Sequence, residues 1–295
     1  MTSSPPAKPR RMNDLAVRAL SALVLIPTAV VAVALPGTGA HGGWLFLALV
    51  VIGAALLCLE WGKMSAPRTP IRMGAAVALA VVASVLAAWV DHFSVALILL
   101  VFGAAAVAAF ARLLKVSALD AAYGVLYIGW PCAVLVWLRM RPDDGLGWTI
   151  LLFAVAWSAD ICAYLLGSLL KGPKLWPRFS PNKTWSGFIG GLIAGSGAAA
   201  IIAAFAPQVG GWVGLGPDID LGLPVWLALL IGLIAALATM AGDLWESALK
   251  RRFGVKDAGD LIPGHGGLLD RVDGMMFSVV ALAACRLIVR AWGLA

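Results

Sequence analysis

The sequence predicts an all-α protein, a polytopic bundle of about nine transmembrane helices. Its 295 residues are 62% hydrophobic and only 13% charged, a composition far more apolar than that of an average soluble domain. The apolar residues also come in runs of about 20, the length of helix that crosses the hydrocarbon core of a bilayer. Both observations indicate that lipid, rather than water, surrounds most of the chain.

The predicted helices follow one another with only short polar connections, in which proline and glycine act as chain breaks. Because no long polar insertion separates them, we expect a single membrane domain. Hydropathy places the helices at residues 15–35, 44–62, 73–90, 93–113, 118–138, 147–170, 185–206, 224–249 and 274–293.

The predicted membrane domain has three parts. Residues 1–14 form a basic tail, residues 15–145 an N-terminal group of helices, and residues 146–295 a C-terminal region that carries the motifs described below. Two polar loops, at 171–184 and 250–273, interrupt the C-terminal region. We expect any chemistry to collect around these loops.

The basic residues predict the orientation of the chain. The formal net charge is +7, but the basic residues lie in short connections, with no predicted soluble domain to present them to nucleic acid. Most of the 22 lysines and arginines become cytoplasmic when the N-terminus is placed inside. The positive-inside rule therefore predicts a cytoplasmic N-terminus and an external C-terminus. The connection at 139–146, with Arg139 and Arg141, is the exception.

The cysteines form no spacing typical of a metal or redox site. Each lies within an apolar run, and none belongs to a CxxC pair. We therefore interpret them as small buried hydrophobic side chains. They are Cys58, Cys132, Cys162 and Cys285.

Two aspartates, Asp160 and Asp243, fall inside predicted helices. A carboxylate in the bilayer core costs roughly 2.5–3.5 kcal/mol on insertion scales, so such a residue indicates a functional site by default. Glu60 and Asp120 are acidic as well, but they lie near helix ends. For these two residues, snorkelling or capping is the favoured interpretation.

Asp243 begins a polar face on the eighth predicted helix. Asp243, Ser247 and Lys250 are spaced at i, i+4 and i+7, which puts a carboxylate, a hydroxyl and an ammonium on one side. Glu246, at i+3, either joins that face or turns toward the interface. A solvated helix end with an internal ion pair would give the same pattern, so this segment alone does not decide for a functional site.

The loop that follows is polar and rich in glycine. Gly266 and Gly267, next to His265, allow a positive φ and a close approach of the backbone, as N–H groups that bind phosphate require. Asp270 and Asp273 are three residues apart at the start of the last helix, so both can face a hard cation such as Mg²⁺. Carboxylates beside lysine and arginine at a membrane surface favour a nucleoside triphosphate that binds with its metal.

The other polar loop contains Ser180-Pro-Asn-Lys-Thr-Trp-Ser-Gly187. Lys183 and Thr184 are typical of part of a phosphate cradle, but the GxxxxGK[ST] pattern is absent, so this loop is not a P-loop. A basic interfacial loop that attracts anionic lipid headgroups is the alternative.

The segment from residue 247 to residue 273 resembles the signature of the phosphatidate cytidylyltransferases, also called CDP-diglyceride synthases. It reads Ser247-Ala-Leu-Lys-Arg251, four further residues, and then Lys256-Asp-Ala-Gly-Asp-Leu-Ile-Pro-Gly-His-Gly-Gly-Leu-Leu-Asp-Arg-Val-Asp273. We find no departure from that signature. Because the pattern fixes many positions over a long segment, chance agreement is excluded in practice.

Two upstream segments, Ser180-Pro-x-Lys-Thr-Trp-x-Gly187 and Asp160-x-x-Ala-Tyr164, are similar to further blocks of the same family. The resemblance is strong from residue 150 to residue 295, whereas in the first half of the chain it rests on hydropathy. It implies a membrane-bound nucleotidyltransferase of phospholipid biosynthesis. Such an enzyme converts CTP and phosphatidate to CDP-diacylglycerol and pyrophosphate.

The resemblance also implies roles for individual residues. We expect Asp243, Asp270 and Asp273 to hold Mg²⁺, with a second cation left open, and Ser247 and Lys250 to complete the catalytic set. Substrate binding is expected of the remaining motif residues, Asp160, Ser180, Lys183, Thr184, Arg251, Lys256, His265, Gly266, Gly267 and Arg271. Since phosphatidate is already largely ionised near neutral pH, His265 is expected to bind phosphate or to position its loop rather than to act as a base.

The expected partners are the two substrates, CTP and phosphatidate, and the lipid bilayer, while a homodimer is a further implication of the resemblance. We expect a multi-pass protein of the inner (plasma) membrane with its active site on the cytoplasmic side. A CTP-dependent lipid kinase of the dolichol kinase type is one alternative. A membrane transporter is the other, because hydropathy alone would support it.

Overall fold

The structure is a computed structural model, and it describes residues 30–33, 43–141, 144–177, 180–213, 219–259, 261 and 266–294. Within them the chain forms long helices and one small sheet. These elements are α1 (Trp44–Ser65), α2 (Pro70–Trp89), α3 (Phe93–Leu113), α4 (Ala118–Arg139), α5 (Gly145–Leu170), β1 (Lys174–Trp176), β2 (Ser180–Thr184), α6 (Trp185–Val213), α7 (Val225–Arg252) and α8 (Leu269–Ala291).

All eight helices are long and apolar enough to cross a bilayer, which confirms the polytopic helical fold class. They coincide with eight of the nine predicted segments. The remaining segment, 15–35, lies outside the described residues except for 30–33, which are helical. The total of nine spans and the orientation of the termini therefore stay predictions.

Local signals set several helix ends. α2 begins with Pro70, which lacks the N–H group that a first-turn residue would leave unpaired. The Ser117 hydroxyl caps α4 and accepts a hydrogen bond from the backbone N–H of Asp120 at 3.3 Å. Asp91 and Lys115 have positive φ angles of 61° and 56° in the turns before α3 and α4. These short turns make helices that are neighbours in sequence pack side by side.

The helices form two groups of four that meet along α4. Trp61 and Ile128 lie in the core of the first group, α1–α4. Leu152 and Leu282 lie in the core of the second group, α5–α8, together with Leu138 from α4. Because α4 also packs against α8, the first group is fixed against the helix that carries the end of the signature segment.

Glycines let α6 approach α5 closely. A Cβ atom on Gly187 would lie 2.5 Å from the carbonyl oxygen of Ala163, and one on Gly191 would lie 2.9 Å from the carbonyl oxygen of Ala159. Small residues at such contacts favour helix association in lipid, because they bring the two backbones together.

The loop predicted at 171–184 contains a hairpin that the sequence did not predict. β1 and β2 pair antiparallel, with Lys174 opposite Thr184 and Trp176 opposite Ser180. α5 ends at Leu170, the next residue, Lys171, has a φ of +45°, and Gly172 and Pro173 then redirect the chain. Strands this short leave too few alternating residues for a hydropathy pattern to indicate them.

The cysteines are free thiols. Cys58, Cys132 and Cys285 are buried, whereas Cys162 is only partly buried. Their interpretation as buried hydrophobic side chains is therefore confirmed for three of the four.

Candidate active site

The predicted site residues of α7 and α8 meet at one end of the bundle. α7 ends there, α8 begins there, and the signature segment connects them. The structure brings four predicted residues together and adds Glu246, which the spacing had left undecided. We call this group the motif cluster: Asp243, Glu246, Lys250, Asp270 and Asp273.

Lys250 links the two helices within the motif cluster. Its Nζ atom donates to Glu246 Oε2 at 3.2 Å, one turn earlier on α7, and to Asp270 Oδ1 at 2.5 Å on α8. The ammonium thus lies between two carboxylates that would otherwise repel each other. It is well placed to exchange one of them for a phosphate oxygen.

Asp270 also orders the loop between α7 and α8. Its Oδ2 atom accepts hydrogen bonds from the backbone N–H groups of Ala258 at 3.0 Å and Gly267 at 3.1 Å. Gly267 has to be glycine, because a Cβ atom there would lie 2.8 Å from Asp270 Oδ2 and 2.8 Å from the Gly259 nitrogen. Gly266 has a φ of +85°, a positive backbone angle that glycine adopts readily and that the sequence predicts here.

Three buried polar groups lie side by side deeper in the bundle. Glu246 and Asp273 share a side-chain hydrogen bond, and both interact electrostatically with Tyr127 of α4. Glu246 is 1% exposed, and the Tyr127 hydroxyl has no hydrogen-bond partner among the described residues. Buried polar atoms are rarely left unpaired in a folded protein, so this buried polar region indicates a ligand-binding site.

The hairpin approaches the motif cluster from the side. Lys183 on β2 forms an ion pair with Asp243 Oδ2. Asp160 of α5 interacts electrostatically with both Asp243 and Lys183. The three separate polar segments of the sequence therefore converge on one site.

Other predicted site residues lie farther from this convergence or have a local role. Arg251, Lys256 and Arg271 are exposed at the same end of the bundle, and Ser247 is half-buried one turn after Asp243. Thr184 is buried at the start of α6. Its Oγ1 atom accepts a hydrogen bond from the N–H of Gly187 at 3.2 Å and thereby caps that helix.

Ser180 lies at the opposite end of β2 from Lys183 and pairs with Trp176. His265 lies outside the described residues. The substrate-binding roles assigned to these residues stay predictions.

Sequence reasoning missed two residues that contact this region, Tyr127 and Glu60. Tyr127 reaches the motif cluster from α4, and nothing in the sequence around it differs from an ordinary apolar helix. Glu60 had been interpreted as a capping or snorkelling residue, and it does cap a helix. The helix that it caps is α8, however, whose N–H groups at Leu268 and Leu269 bind the Glu60 carboxylate.

The donor set suits a hard cation, although the described carboxylates do not form a complete cage for one. No group of three or more described His, Cys, Asp or Glu residues has the geometry of a metal site. Mg²⁺ in nucleotide sites commonly takes one or two carboxylates and completes its shell with phosphate oxygens and water. Asp243 and Asp273 fit that pattern, whereas both oxygens of Asp270 already bind Lys250 or backbone N–H groups.

Eight long apolar helices with a cluster of carboxylates and lysines at one end define an integral membrane protein with a polar site. The chain belongs to the cytidylyltransferase family, whose model matches residues 16–289. The resemblance found in the signature segment is thereby confirmed over most of the chain.

Curated relatives carry a more specific name. A phosphatidate cytidylyltransferase of Brucella suis is 46% identical over 164 residues, which are 52% of this chain and 56% of the relative. A phosphatidate cytidylyltransferase of Staphylococcus haemolyticus is 39% identical over 163 residues, which are 55% of this chain and 58% of the relative. The chain thus spans little more than half the length of these relatives.

Proposed function

We propose that this chain is a phosphatidate cytidylyltransferase, which makes CDP-diacylglycerol and pyrophosphate from phosphatidate and CTP. The observation that carries the proposal is the convergence of the signature segment, the hairpin and Asp160 on one cluster of carboxylates and lysines. Membership of the cytidylyltransferase family and the printed name of the relatives support the same activity.

In the proposed reaction, a phosphate oxygen of phosphatidate attacks the α-phosphorus of CTP. The bond between that phosphorus and the bridging oxygen breaks, and pyrophosphate leaves with the electron pair. Phosphatidate needs no deprotonation when it is already ionised, so the protein has chiefly to align two anions and neutralise their charge.

Lysines supply the neutralising charge in this proposal. Lys250 holds its ammonium between Glu246 and Asp270, and Lys183 holds its own beside Asp243. Either lysine could turn to a phosphate oxygen, and the carboxylate that it leaves would then be available to a cation. The exposed residues Arg251, Lys256 and Arg271 extend the positive surface toward the outer phosphates, and His265, Gly266 and Gly267 keep the phosphate-binding role that the resemblance implies.

The proposed metal ion is Mg²⁺, which Asp243 and Asp273 would hold, with Asp270 as a further predicted ligand, while Ser247 follows Asp243 by one turn of α7. When bound, the ion would neutralise charge on the triphosphate and on the leaving pyrophosphate. The buried carboxyl groups of Glu246 and Asp273 share a side-chain hydrogen bond, and two acidic groups this close support a cation at that place.

We further propose that the site faces the cytoplasm from the inner membrane, with the N-terminus inside and the C-terminus outside. The lysines and arginines around the motif cluster support this orientation through the positive-inside rule. A ninth helix at 15–35 and a homodimer complete the proposal. Cysteine accessibility at the two ends of α8 in intact cells would test the orientation directly.

The activity is tested by incubating the purified protein with phosphatidate, Mg²⁺ and CTP labelled at either the α- or the γ-phosphorus. We expect lipid to become labelled from the α-position only, with release of pyrophosphate. Transfer from the γ-position to a lipid alcohol would instead establish the dolichol kinase type of reaction. Transfer from neither position, beside an active control enzyme, would overturn the proposal and favour a transporter.

A further inference from the structure

Glu60 is a buried carboxylate in the first half of the chain, far from every motif in the sequence. It lies in the second-to-last turn of α1 and is 0% exposed. Its Oε1 atom accepts a hydrogen bond from the backbone N–H of Leu268 at 2.9 Å, and its Oε2 atom accepts one from Leu269 at 2.8 Å. Both oxygens are thus committed to a segment 208 and 209 residues away.

The N–H groups that Glu60 binds belong to the start of α8. The first N–H groups of a helix have no partner inside it, and a negative charge there is stabilised by the helix dipole. The residue at the N-cap of α8 is Leu268, whose side chain forms no capping hydrogen bond. Glu60 therefore supplies from another helix the cap that the local sequence lacks.

The same carboxylate fixes the loop that joins α7 to α8. A Cβ atom on Gly259 would lie 2.7 Å from Glu60 Oε1, and one on Gly267 would lie 3.1 Å from it. Glu60 therefore packs directly against two backbone segments of that loop. The neighbouring N–H groups of Ala258 and Gly267 are the ones that bind Asp270 Oδ2.

We propose that Glu60 is a positioning residue of the active site, which sets Asp270 and Asp273 at their working distance from α7. The expected effect on kcat rests on the proposed function, whereas the capping of α8 by Glu60 does not. The first group of helices thereby contributes more than lipid contact, because α1 holds one end of the signature segment in place.

The test compares Glu60→Gln, Glu60→Asp and the control Cys58→Ala in purified full-length protein. Glutamine keeps the size of the side chain, but its NH₂ group would face one of the two backbone N–H groups. One N–H···O hydrogen bond is then replaced by two donors that repel each other. Cys58 is buried on the same helix and does not belong to the loop. We expect Glu60→Gln to lower kcat about tenfold or more, since small misplacement of catalytic groups has large effects, with a smaller change in the KM for CTP.

Glu60→Asp keeps the charge and is expected to restore part of kcat, while Cys58→Ala lowers the unfolding temperature and leaves kcat unchanged. Hydrogen exchange of the peptide spanning 266–272 gives a readout that does not need activity. We expect Glu60→Gln to speed exchange there and Cys58→Ala not to do so. If Glu60→Gln speeds exchange but the unchanged protein shows no cytidylyl transfer, the cap is supported and only the proposed function is contradicted.

A second variant keeps the proposal testable if Glu60→Gln fails to fold. Gly259→Ala puts a methyl group against Glu60 Oε1 without removing the carboxylate, and we expect a comparable loss of kcat. Normal kcat in Glu60→Gln, or unchanged hydrogen exchange of the 266–272 peptide in that variant, would overturn the proposal.

Discussion

The two ends of α8 carry similar charged groups, but these groups differ in how fully they are hydrogen-bonded. At the C-terminal end of α8, Arg286 donates to Asp144 through Nε at 3.2 Å and through Nη2 at 2.5 Å. Arg290 lies 3.1 Å from the same carboxylate, and the Trp148 indole donates to it at 2.9 Å. We call these four residues the far cluster. Near the start of α8, the Tyr127 hydroxyl is buried without a hydrogen-bond partner among the described residues, and the adjacent carboxyl groups of Glu246 and Asp273 share one hydrogen bond.

The difference separates structural from functional charge in this molecule. A buried carboxylate whose oxygens are all bound by arginine and tryptophan fixes helix ends, and another ligand would have to displace one of those groups. A cluster whose polar groups are not all hydrogen-bonded within the fold can still bind a phosphate oxygen or a metal ion. Both clusters are costly to bury, so their existence alone does not identify a site.

The largest expected effect is the loss of turnover in Asp243→Asn and in Asp270→Asn. Each change removes a charge from the motif cluster, and we expect at least about a hundredfold drop in cytidylyl transfer, as for other lost electrostatic contacts to a transition state. The matched control is Asp91→Asn, because Asp91 pairs with Arg141 on an exposed surface outside the cluster. Near-normal transfer in either variant, with the protein folded, would remove these residues from the site.

The far cluster should respond in the opposite way. Asp144→Asn leaves two guanidinium groups without their carboxylate, and we expect the free energy of unfolding to fall by about 3 kcal/mol. The kcat of the folded fraction should stay within about twofold of that of the unchanged protein, since no step is routed through this end. Thermal unfolding in detergent and turnover per folded molecule measure the two quantities. A large loss of kcat at unchanged stability would show that the far cluster is functional.

The far cluster also predicts a dependence of stability on pH. Burial tends to raise the pKa of Asp144, but the guanidinium groups of Arg286 and Arg290 hold this pKa below its usual value. The stabilisation is therefore present above the ordinary aspartate range near pH 4 and is lost as the pH falls through the lowered pKa. Asp144→Asn should flatten the acid side of a stability profile, and an unchanged profile would refute the pairing.

Gly267→Ala tests how closely the loop packs on Asp270. The added methyl group would lie 2.8 Å from Asp270 Oδ2 and 2.8 Å from the Gly259 nitrogen, so the loop has to shift. We expect kcat to fall about tenfold. Gly197→Ala serves as the control, because a Cβ atom there would have no neighbour within 4 Å. Equal activity of the two variants would mean that the loop tolerates displacement.

The smallest expected effect is that of Tyr127→Phe. The hydroxyl has no hydrogen-bond partner in the described part of the chain, so its removal should not lower the unfolding temperature. If the motif cluster binds the nucleotide and its metal, the loss of one hydrogen bond should lower kcat/KM about fivefold. A destabilised protein would indicate instead that the hydroxyl is bound within the fold.

Most of the fold could be predicted because hydropathy and helix length are local properties. Eight predicted segments coincide with helices, although α6 continues to Val213, beyond its predicted end at 206, and the structure places both Asp243 and Lys250 in the motif cluster. The contacts of Glu60 and Tyr127 could not be predicted, since they depend on how α1 and α4 pack against α8. The hairpin was missed because its strands are short.

Binding of the nucleotide can be measured without turnover, as the rise in unfolding temperature on addition of Mg²⁺ and CTP to the purified protein. We expect this rise in the unchanged protein and in Asp144→Asn, and we expect it to be absent in Asp243→Asn, because Asp243 belongs to the motif cluster, whereas Asp144 is bound by Arg286 and Arg290 at the other end of α8. A full rise in Asp243→Asn, or its loss in Asp144→Asn, would mean that the nucleotide binds elsewhere and that the motif cluster is not the active site.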